Sequence, residues 1–343
     1  MIPEFIKKET ATSWQTEDWQ DALKSLVTRP EDLVQLLNLS EPAFSAMTQA
    51  SQDFPLRIPL DYIKRIQTTD LAHPLLKQFT PAPEELIKME GFNHDPVEEQ
   101  AKNPLPGLVH KYNGRVLLIV SSSCPVHCRY CFRRHFPYNN NRNSREQWQQ
   151  AINYIRNDDS ISEVIYSGGD PLSAPDHQLS WLTAELAAIP HLKRLRVHTR
   201  FPVVIPQRIT PELLSWLTGS RLLPSMVLHS NHPDELGEEV TLALVRLRRA
   251  GVTLLNQSVL LKGVNDRPET LIALSEKLYS CGVLPYYLHL LDRVDGAAHF
   301  EVPETEALAI YDALKASLPG YLVPKLVREE AGKPGKTIVS GAL

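Results

Sequence analysis

Short apolar runs alternate with amphipathic helical patterns along the chain from residue 115 to about residue 320. The runs are rich in valine, isoleucine, leucine and tyrosine. Most are continuous, as is typical of strands that are buried on both faces of a sheet. They predict six strands, at residues 115–122, 163–167, 194–199, 225–230, 253–261 and 285–291.

The segments between these runs carry the signals of helix ends. Ser144 and Gln147 have the spacing of a capping box, and an apolar stripe follows them. Thr210 opens another helix just before a proline, and Gly219 follows its end. Six strand–helix units in a row predict parallel strands with right-handed crossovers, but they are too few for a closed eight-fold barrel. The predicted fold is therefore α/β, an open partial (β/α)6 barrel whose chemistry lies at the carboxyl ends of the strands.

Residues 1–95 have a different pattern, which is helical, more polar and free of strand-like runs. Short helices are predicted at residues 17–26 and 30–37. Prolines at positions 96, 104 and 106 indicate a linker before the barrel. We therefore expect an N-terminal helical region at 1–95, a barrel at 96–320 and a C-terminal segment at 321–343.

The composition of the 343 residues is that of an ordinary globular protein. The formal net charge is −4 and there is no basic block, so nothing indicates binding to nucleic acid. No apolar stretch has the character of a secretory signal or the length of a membrane span, so no membrane association is expected. Three of the four cysteines fall within eight residues, which is unlike a disulfide framework and favours a reducing, cytoplasmic location.

Those three cysteines, Cys124, Cys128 and Cys131, directly follow the first predicted strand with the spacing C-x3-C-x2-C. Three thiolates from one loop can bind three irons of a [4Fe–4S] cluster and leave the fourth iron open to another ligand. A zinc site completed by His127 or His135 is the alternative, although neither histidine has a familiar zinc-finger spacing. Inert core cysteines are a third possibility, which the basic residues around the motif disfavour.

The C-x3-C-x-aromatic-C pattern resembles the radical S-adenosylmethionine (SAM) superfamily. The longer string at residues 124–136, CPVHCRYCFRRHF, resembles the lysine 2,3-aminomutase family. Four further motifs match that family in order: SGGD at 167–170, PVVIPQRIT at 202–210, NQSVLL at 256–261 and PYY at 285–287. The short tail and the compact N-terminal region most resemble the branch that makes β-lysine for the modification of elongation factor P.

The resemblance implies where SAM binds. Ser167, Gly168, Gly169 and Asp170 match the segment that receives the amino group of SAM, and two glycines would let a ligand approach the backbone closely. Tyr130, between two cluster ligands, is implied to contact the adenine. Taken alone, the tetrapeptide at 167–170 would be read as an ordinary β-turn.

The resemblance also implies pyridoxal 5′-phosphate (PLP), which requires a lysine amine that forms a Schiff base. Lys336 matches the family's lysine, and Lys333 is a rival because it interrupts a run that is richer in glycine in the family. Without the resemblance, both lysines would be read as part of a solvated tail. The candidate ligands of the cofactor phosphate are cationic or amide side chains near strand ends or in family motifs: Lys111, Arg115, Arg208, Asn256 and Gln257.

Three charged residues match the family's substrate contacts. Arg133 matches the arginine that binds the substrate carboxylate, and Asp292 and Glu329 match the partners of the distal ammonium of lysine. Better-known members carry aspartate at the position of Glu329, so its reach differs here by one methylene. Each of these charges, taken in isolation, could equally be an ordinary surface charge.

The activity implied by the resemblance is conversion of L-lysine to β-lysine. A 5′-deoxyadenosyl radical from SAM takes a hydrogen from C3, and the amino nitrogen then migrates from C2 to C3. A reductant such as flavodoxin or ferredoxin is implied as a partner. No zinc is expected, because the cysteines that bind zinc in larger members are missing, and Cys281 is expected to pack in the core. The alternatives are a related radical enzyme acting on another amino acid or on a protein-bound lysine, or a non-catalytic zinc-binding module.

Overall fold

Strands and helices alternate along most of the chain in a computed structural model that describes residues 18–340 except for 40, 67, 69, 142 and 143. The strands in these ranges are β1 (Leu26–Val27), β2 (Ile58–Pro59), β3 (Leu108–Tyr112), β4 (Arg115–Ser121), β5 (Glu163–Gly168), β6 (Arg194–Thr199), β7 (Leu223–His229), β8 (Thr253–Val259), β9 (Leu284–His289), β10 (Lys325–Arg328) and β11 (Thr337–Ile338). The helices are α1 (Trp19–Lys24), α2 (Pro30–Leu37), α3 (Glu41–Asp53), α4 (Leu60–Ile66), α5 (Pro74–Lys77), α6 (Arg145–Arg156), α7 (Asp176–Ala187), α8 (Phe201–Val204), α9 (Pro211–Thr218), α10 (Glu238–Arg249), α11 (Pro268–Ser280) and α12 (Glu304–Ser317). Short 3-10 turns lie at Pro83–Leu86, Gln100–Lys102, Tyr138–Asn141, Pro171–Ser173, Pro206–Arg208, Pro233–Glu235, Ala298–Phe300 and Gly320–Leu322.

One sheet contains β3 to β11, and its spatial order follows the chain order from one edge to the other. The six predicted strands are β4 to β9, and every neighbouring pair among them is parallel. The prediction of an open partial barrel with helical crossovers is therefore confirmed. The helix caps agree as well: Ser144 and Gln147 form a reciprocal capping box, and the Thr210 hydroxyl accepts from the Leu213 amide at 3.1 Å.

Three strands of this sheet lie outside the six that were predicted. β3 precedes the barrel and pairs antiparallel with β4, and β10 extends the parallel run beside β9. β11 pairs antiparallel with β10, so that Arg328 lies opposite Thr337. This last pairing turns the C-terminal segment back on itself and makes Glu329 and Lys336 neighbours beside the sheet.

The N-terminal part differs from its prediction. α2 has the expected bounds and α1 lies inside the expected range, but β1 and β2 form a short antiparallel pair where no strand was expected. Residues 1–17 of the predicted helical region lie outside the described residues. Apolar side chains of this part, including Leu33, Met47 and Tyr62, belong to one continuous core with those of the barrel. The division of the chain into three parts stays a prediction.

Among the helices in the described ranges, none combines the length and the apolar composition that crossing a membrane requires.

Candidate active site

A cavity of about 710 Å³ lies inside the barrel and is lined by side chains along β4 to β9 and by loops at the carboxyl ends of these strands. Its lining contains most of the residues singled out in the sequence: Lys111, Arg115, Cys124, Cys128, Tyr130, Cys131, Arg133, Ser167, Gly168, Gly169, Asp170, Gln257, Asp292, Glu329 and Lys336. Among the candidates for binding SAM, PLP or substrate, Arg208, Asn256 and Lys333 are absent from that lining. One cavity therefore brings together the cysteine loop and the C-terminal lysine.

The cysteine loop follows β4 and is turned so that the Cys131 amide donates to the Cys128 carbonyl at 3.0 Å. Burial raises the pKa of the Cys124 and Cys128 thiols, and it raises that of Cys131 to about 11. Nearby thiols raise the pKa values of Cys124 and Cys131 further, so three thiolates here need a strongly positive group among them. The irons of a [4Fe–4S] cluster would meet that need.

The two histidines of the zinc alternative have other partners. The His127 ring shares a hydrogen bond of 2.8 Å with the Pro55 carbonyl, and His135 stacks on His94 with ring centroids 4.1 Å apart. In the part of the chain that the structure describes, no three His, Cys, Asp or Glu side chains converge on a single metal position. A cubane does not require such convergence, because each thiolate binds a different iron.

The turn at 167–170 is joined to the start of the cysteine loop. The Gly169 amide donates to the Ser121 carbonyl at 2.7 Å, and the Asp170 amide donates to the Ser123 carbonyl at 2.8 Å. A Cβ on Gly168, whose φ is +130°, would lie 2.3 Å from the Ser121 oxygen, and one on Gly169 would lie 2.6 Å from the Ser123 oxygen. Both glycines are thus required for backbone packing between two loops, and not only for access of a ligand.

Asp170 and Tyr130 line the cavity but are held by protein partners. The Asp170 carboxylate accepts from the Thr199 hydroxyl at 2.8 Å and from the Arg200 amide at 2.7 Å. Burial nevertheless raises its pKa to about 6. The Tyr130 hydroxyl accepts from the Asn231 amide at 2.7 Å and also from Arg200. Their contacts with SAM stay predictions.

Lys336 forms an ion pair inside the cavity. Its Nζ lies 2.9 Å from Glu329 Oε2, while Lys111 Nζ lies 2.8 Å from Glu329 Oε1 and the Tyr112 hydroxyl donates to the same carboxylate. Burial would raise the pKa of Glu329, but Lys336, Lys111 and Tyr112 outweigh burial and bring it to about 2. Glu329 is therefore the counter-ion of two lysines. Lys333, by contrast, is exposed on the turn before Lys336.

Two of the five phosphate candidates need correction. Asn256 is buried on the side of β8 that faces away from the cavity, where its amide bonds the Ser230 backbone at 3.0 Å. Its neighbour Gln257 faces the cavity instead, as alternation along a strand requires. Arg208 is fully buried and pairs with Asp176 at 2.8 Å. Lys111, Arg115 and Gln257 remain candidates.

Arg133 is already engaged through most of its donors. Its Nε and Nη2 atoms each lie 2.7 Å from an oxygen of Glu99, and Nη1 donates to Ser167 Oγ at 2.9 Å and to the Gly168 carbonyl at 3.2 Å. Glu99 is therefore a site residue that the sequence did not indicate. A substrate carboxylate would meet an arginine whose orientation is fixed.

Asp292 shares the cavity with Glu329, as expected for two residues that face one ligand. Burial raises the pKa of Asp292 to about 7, although nearby Lys336 lowers it. The two carboxyl groups therefore differ strongly in acidity. Glu329 is ionised, whereas Asp292 becomes ionised only near neutral pH.

Comparisons with known proteins connect this geometry to a family. A model of the Radical SAM superfamily matches residues 118–274. The L-lysine 2,3-aminomutase of Haemophilus influenzae is 48% identical over 324 residues, which cover 94% of this chain and 96% of the relative. The L-lysine 2,3-aminomutase of Escherichia coli is 49% identical, covering 94% of each chain, and that of Buchnera aphidicola is 44% identical, covering 99% of each. The chain belongs to the lysine 2,3-aminomutase family.

Membership in the lysine 2,3-aminomutase family confirms the predicted cofactors: a [4Fe–4S] cluster, SAM and PLP. The cavity fits them. The three cysteines lie on one loop that lines the cavity. Three buried polar atoms on other lining residues have no hydrogen bond within the described part of the chain: Arg196 Nε, His198 Nε2 and His289 Nε2. The absence of zinc stays a prediction.

Several cavity residues were missed in the sequence. His198, His229 and His289 lie at or near the carboxyl ends of β6, β7 and β9, and burial lowers the pKa of each so that the imidazoles are neutral. A polar residue at the end of an apolar strand run is the sequence signal that could have indicated these three histidines. Glu99, in the linker, gave no such signal.

The cluster assignment predicts the effect of two cysteine substitutions. Cys128→Ser should remove most of the bound iron and abolish SAM cleavage, because a thiolate ligand is lost. Cys281→Ser is the matched control: Cys281 is buried in the core, 3.4 Å from the Thr241 hydroxyl, so this variant should keep both. Iron and sulfide analysis and 5′-deoxyadenosine formation measure the outcome. Full iron in the first variant would overturn the assignment.

The acidity of Asp292 predicts a pH dependence. Below about pH 7 burial keeps a proton on Asp292, so the carboxylate that should pair with a substrate ammonium is missing. For wild type, kcat/KM for lysine should rise about tenfold per pH unit up to that pH and then level off. Asp292→Asn should lower kcat/KM and flatten this dependence, as steady-state rates between about pH 6 and about pH 8.5 would reveal. An unchanged slope in the variant would assign the dependence to another group.

Proposed function

We propose that this protein is an isomerase of the radical SAM type that converts L-lysine to β-lysine by moving the amino group from C2 to C3. The observation that carries the proposal is one cavity of about 710 Å³ lined both by Cys124, Cys128 and Cys131 and by Lys336. A cavity of this size suits a small-molecule substrate together with its cofactors.

Each part of the cavity has its own task. Cys124, Cys128 and Cys131 hold the cluster, and Lys336 is the attachment point of PLP. When bound, these groups supply an electron for SAM cleavage and a conjugated ring that delocalises a radical. The protein residues orient the substrate beside the reacting atoms and exclude water from them.

Charge selects the substrate. Arg133, held side-on by Glu99, still has one Nη2 hydrogen free of the partners described above, and it can donate to the substrate carboxylate. Asp292 and Glu329 supply negative charge for the distal ammonium. The oxygen of Glu329 that now accepts from Lys336 becomes available when that lysine is engaged elsewhere.

We further propose the partners on either side of the reaction. A one-electron donor such as flavodoxin or ferredoxin reduces the cluster. The product β-lysine serves the modification of elongation factor P, a proposal that rests on the resemblance to that branch of the family.

Anaerobic incubation of the reconstituted protein with free L-lysine tests the function directly. β-Lysine should appear, whereas norleucine, which lacks the distal amine, should react far more slowly. Loss of one partner of a buried charged contact typically costs about 3–5 kcal/mol, or roughly two to four decades in kcat/KM. Chromatography of the derivatised amino acids measures both. Equal turnover of the two compounds, or no product from free lysine, would contradict the proposal.

The role of Lys336 predicts a contrast between two lysines of the same turn. Lys336→Ala should abolish the visible absorbance of bound PLP, because the only described lysine of this turn that reaches the cavity is lost. Lys333→Ala should retain that absorbance, because Lys333 is exposed. Absorbance spectra and PLP stoichiometry of the two purified variants decide the matter. The reverse pattern would transfer the role to Lys333.

A further inference from the structure

The cysteine loop is held from outside by the N-terminal part of the chain. The His127 amide donates to the Arg57 carbonyl at 2.9 Å, and the Arg129 amide donates to the Gln78 carbonyl at 2.8 Å. Both donors belong to the loop itself, next to or between its cysteines. The backbone of the loop therefore depends on a region for which the sequence indicated no chemistry.

A buried ionic group reinforces this attachment. Glu85 accepts from Arg129 Nε at 2.8 Å and from Arg129 Nη2 at 2.6 Å, and it accepts from Arg134 Nη2 at 2.9 Å. The side chains of Glu85, Arg129 and Arg134 are 1%, 0% and 2% exposed. The ring of Phe54 lies 4.8 Å from the Arg129 guanidinium and 4.7 Å from that of Arg134. One carboxylate thus serves two arginines that contact the same aromatic ring.

The two arginines are part of the cysteine motif. Arg129 directly follows Cys128, and Arg134 lies three residues after Cys131. Arg134 Nη1 also donates to the Arg129 carbonyl and to the Gly296 carbonyl, each at 3.1 Å. The bond to the Arg129 carbonyl closes the loop between residues 129 and 134. The bond to the Gly296 carbonyl attaches the loop to the segment that follows β9.

The charges of the two arginines and the single carboxylate do not cancel. Two buried cations share one carboxylate, which leaves a net positive charge beside thiolates that would carry negative charge. Without the carboxylate, two buried guanidinium groups would repel each other across Phe54. The loop would then have to open to hydrate them.

We propose that Glu85 is a positioning residue of the cluster loop, which presets Cys128 and Cys131 for cluster binding through Arg129 and Arg134. The N-terminal part, from Phe54 to Glu85, then functions in retention of the cluster. The proposal rests on the assignment of the cluster to Cys124, Cys128 and Cys131.

The test compares Glu85→Gln with Glu84→Gln in the reconstituted full-length protein. The two substitutions remove the same charge from adjacent positions, but Glu84 is exposed whereas Glu85 is buried. The measurements are the iron and sulfide content per chain and the rate at which the cluster absorbance bleaches in air. The absorbance of bound PLP, which reports on the Lys336 site in the C-terminal segment, serves as the check that the barrel is folded.

Glu85→Gln should bind less iron and bleach about tenfold faster than wild type, as is typical when a residue that supports metal ligands is lost. Its PLP absorbance should be retained, Glu84→Gln should behave like wild type, and Glu85→Asp, which keeps the charge, should restore part of the iron.

Wild-type iron content and bleaching in Glu85→Gln would overturn the proposal. So would joint loss of PLP and iron, which would mean that Glu85 stabilises the whole fold. Wild-type protein that binds no iron would instead refute the cluster assignment and the proposed function.

Discussion

Buried arginines need carboxylate partners, and this constraint organises the loops at the carboxyl ends of the strands. Arg129, Arg133, Arg200 and Arg208 are each at most 7% exposed, and their partners are Glu85, Glu99, Glu235 and Asp176. Removal of one partner of such a pair typically costs about 3–5 kcal/mol, because the other charge stays buried. Each pair also joins two segments that are distant in sequence. The loops that surround the cavity are therefore fixed by charge pairing, while the apolar core fixes the strands beneath them.

The strands could be predicted because their signal is local. Continuous apolar runs are sufficient to place β4 to β9, and their parallel pairing follows from the helices between them. β10 has four residues, and β1 and β2 have two each, so their existence depends on the partners that the fold brings beside them. A C-terminal segment was expected at 321–343, but not that it adds β10 and β11 to the end of the sheet.

The site was predictable where a motif coincides with a strand end. The cysteines, the turn at 167–170 and Gln257 all reach the cavity. The motif at 256–261 made both Asn256 and Gln257 candidate ligands. Adjacent residues of a strand face opposite sides, so only Gln257 reaches the cavity. The carboxylates that hold the arginines were not predictable: Glu85 and Glu99 lie 44 and 34 residues before their partners, and no periodic pattern marks them.

Two carboxyl groups in one cavity would repel each other if both were ionised without cations. The structure avoids this repulsion because the two carboxyl groups have different surroundings. Glu329 forms ion pairs with both Lys111 and Lys336 and stays ionised. Burial is the largest influence on the pKa of Asp292, which therefore keeps its proton up to about pH 7. A cation that enters beside Asp292 lowers the pKa of that group, so binding of an ammonium is coupled to release of a proton. A neutral side chain offers no such stabilisation and would leave Asp292 protonated. In the role proposed for Asp292, a preference for a distal amine would arise from a carboxyl group that gains its charge when the matching ligand is present.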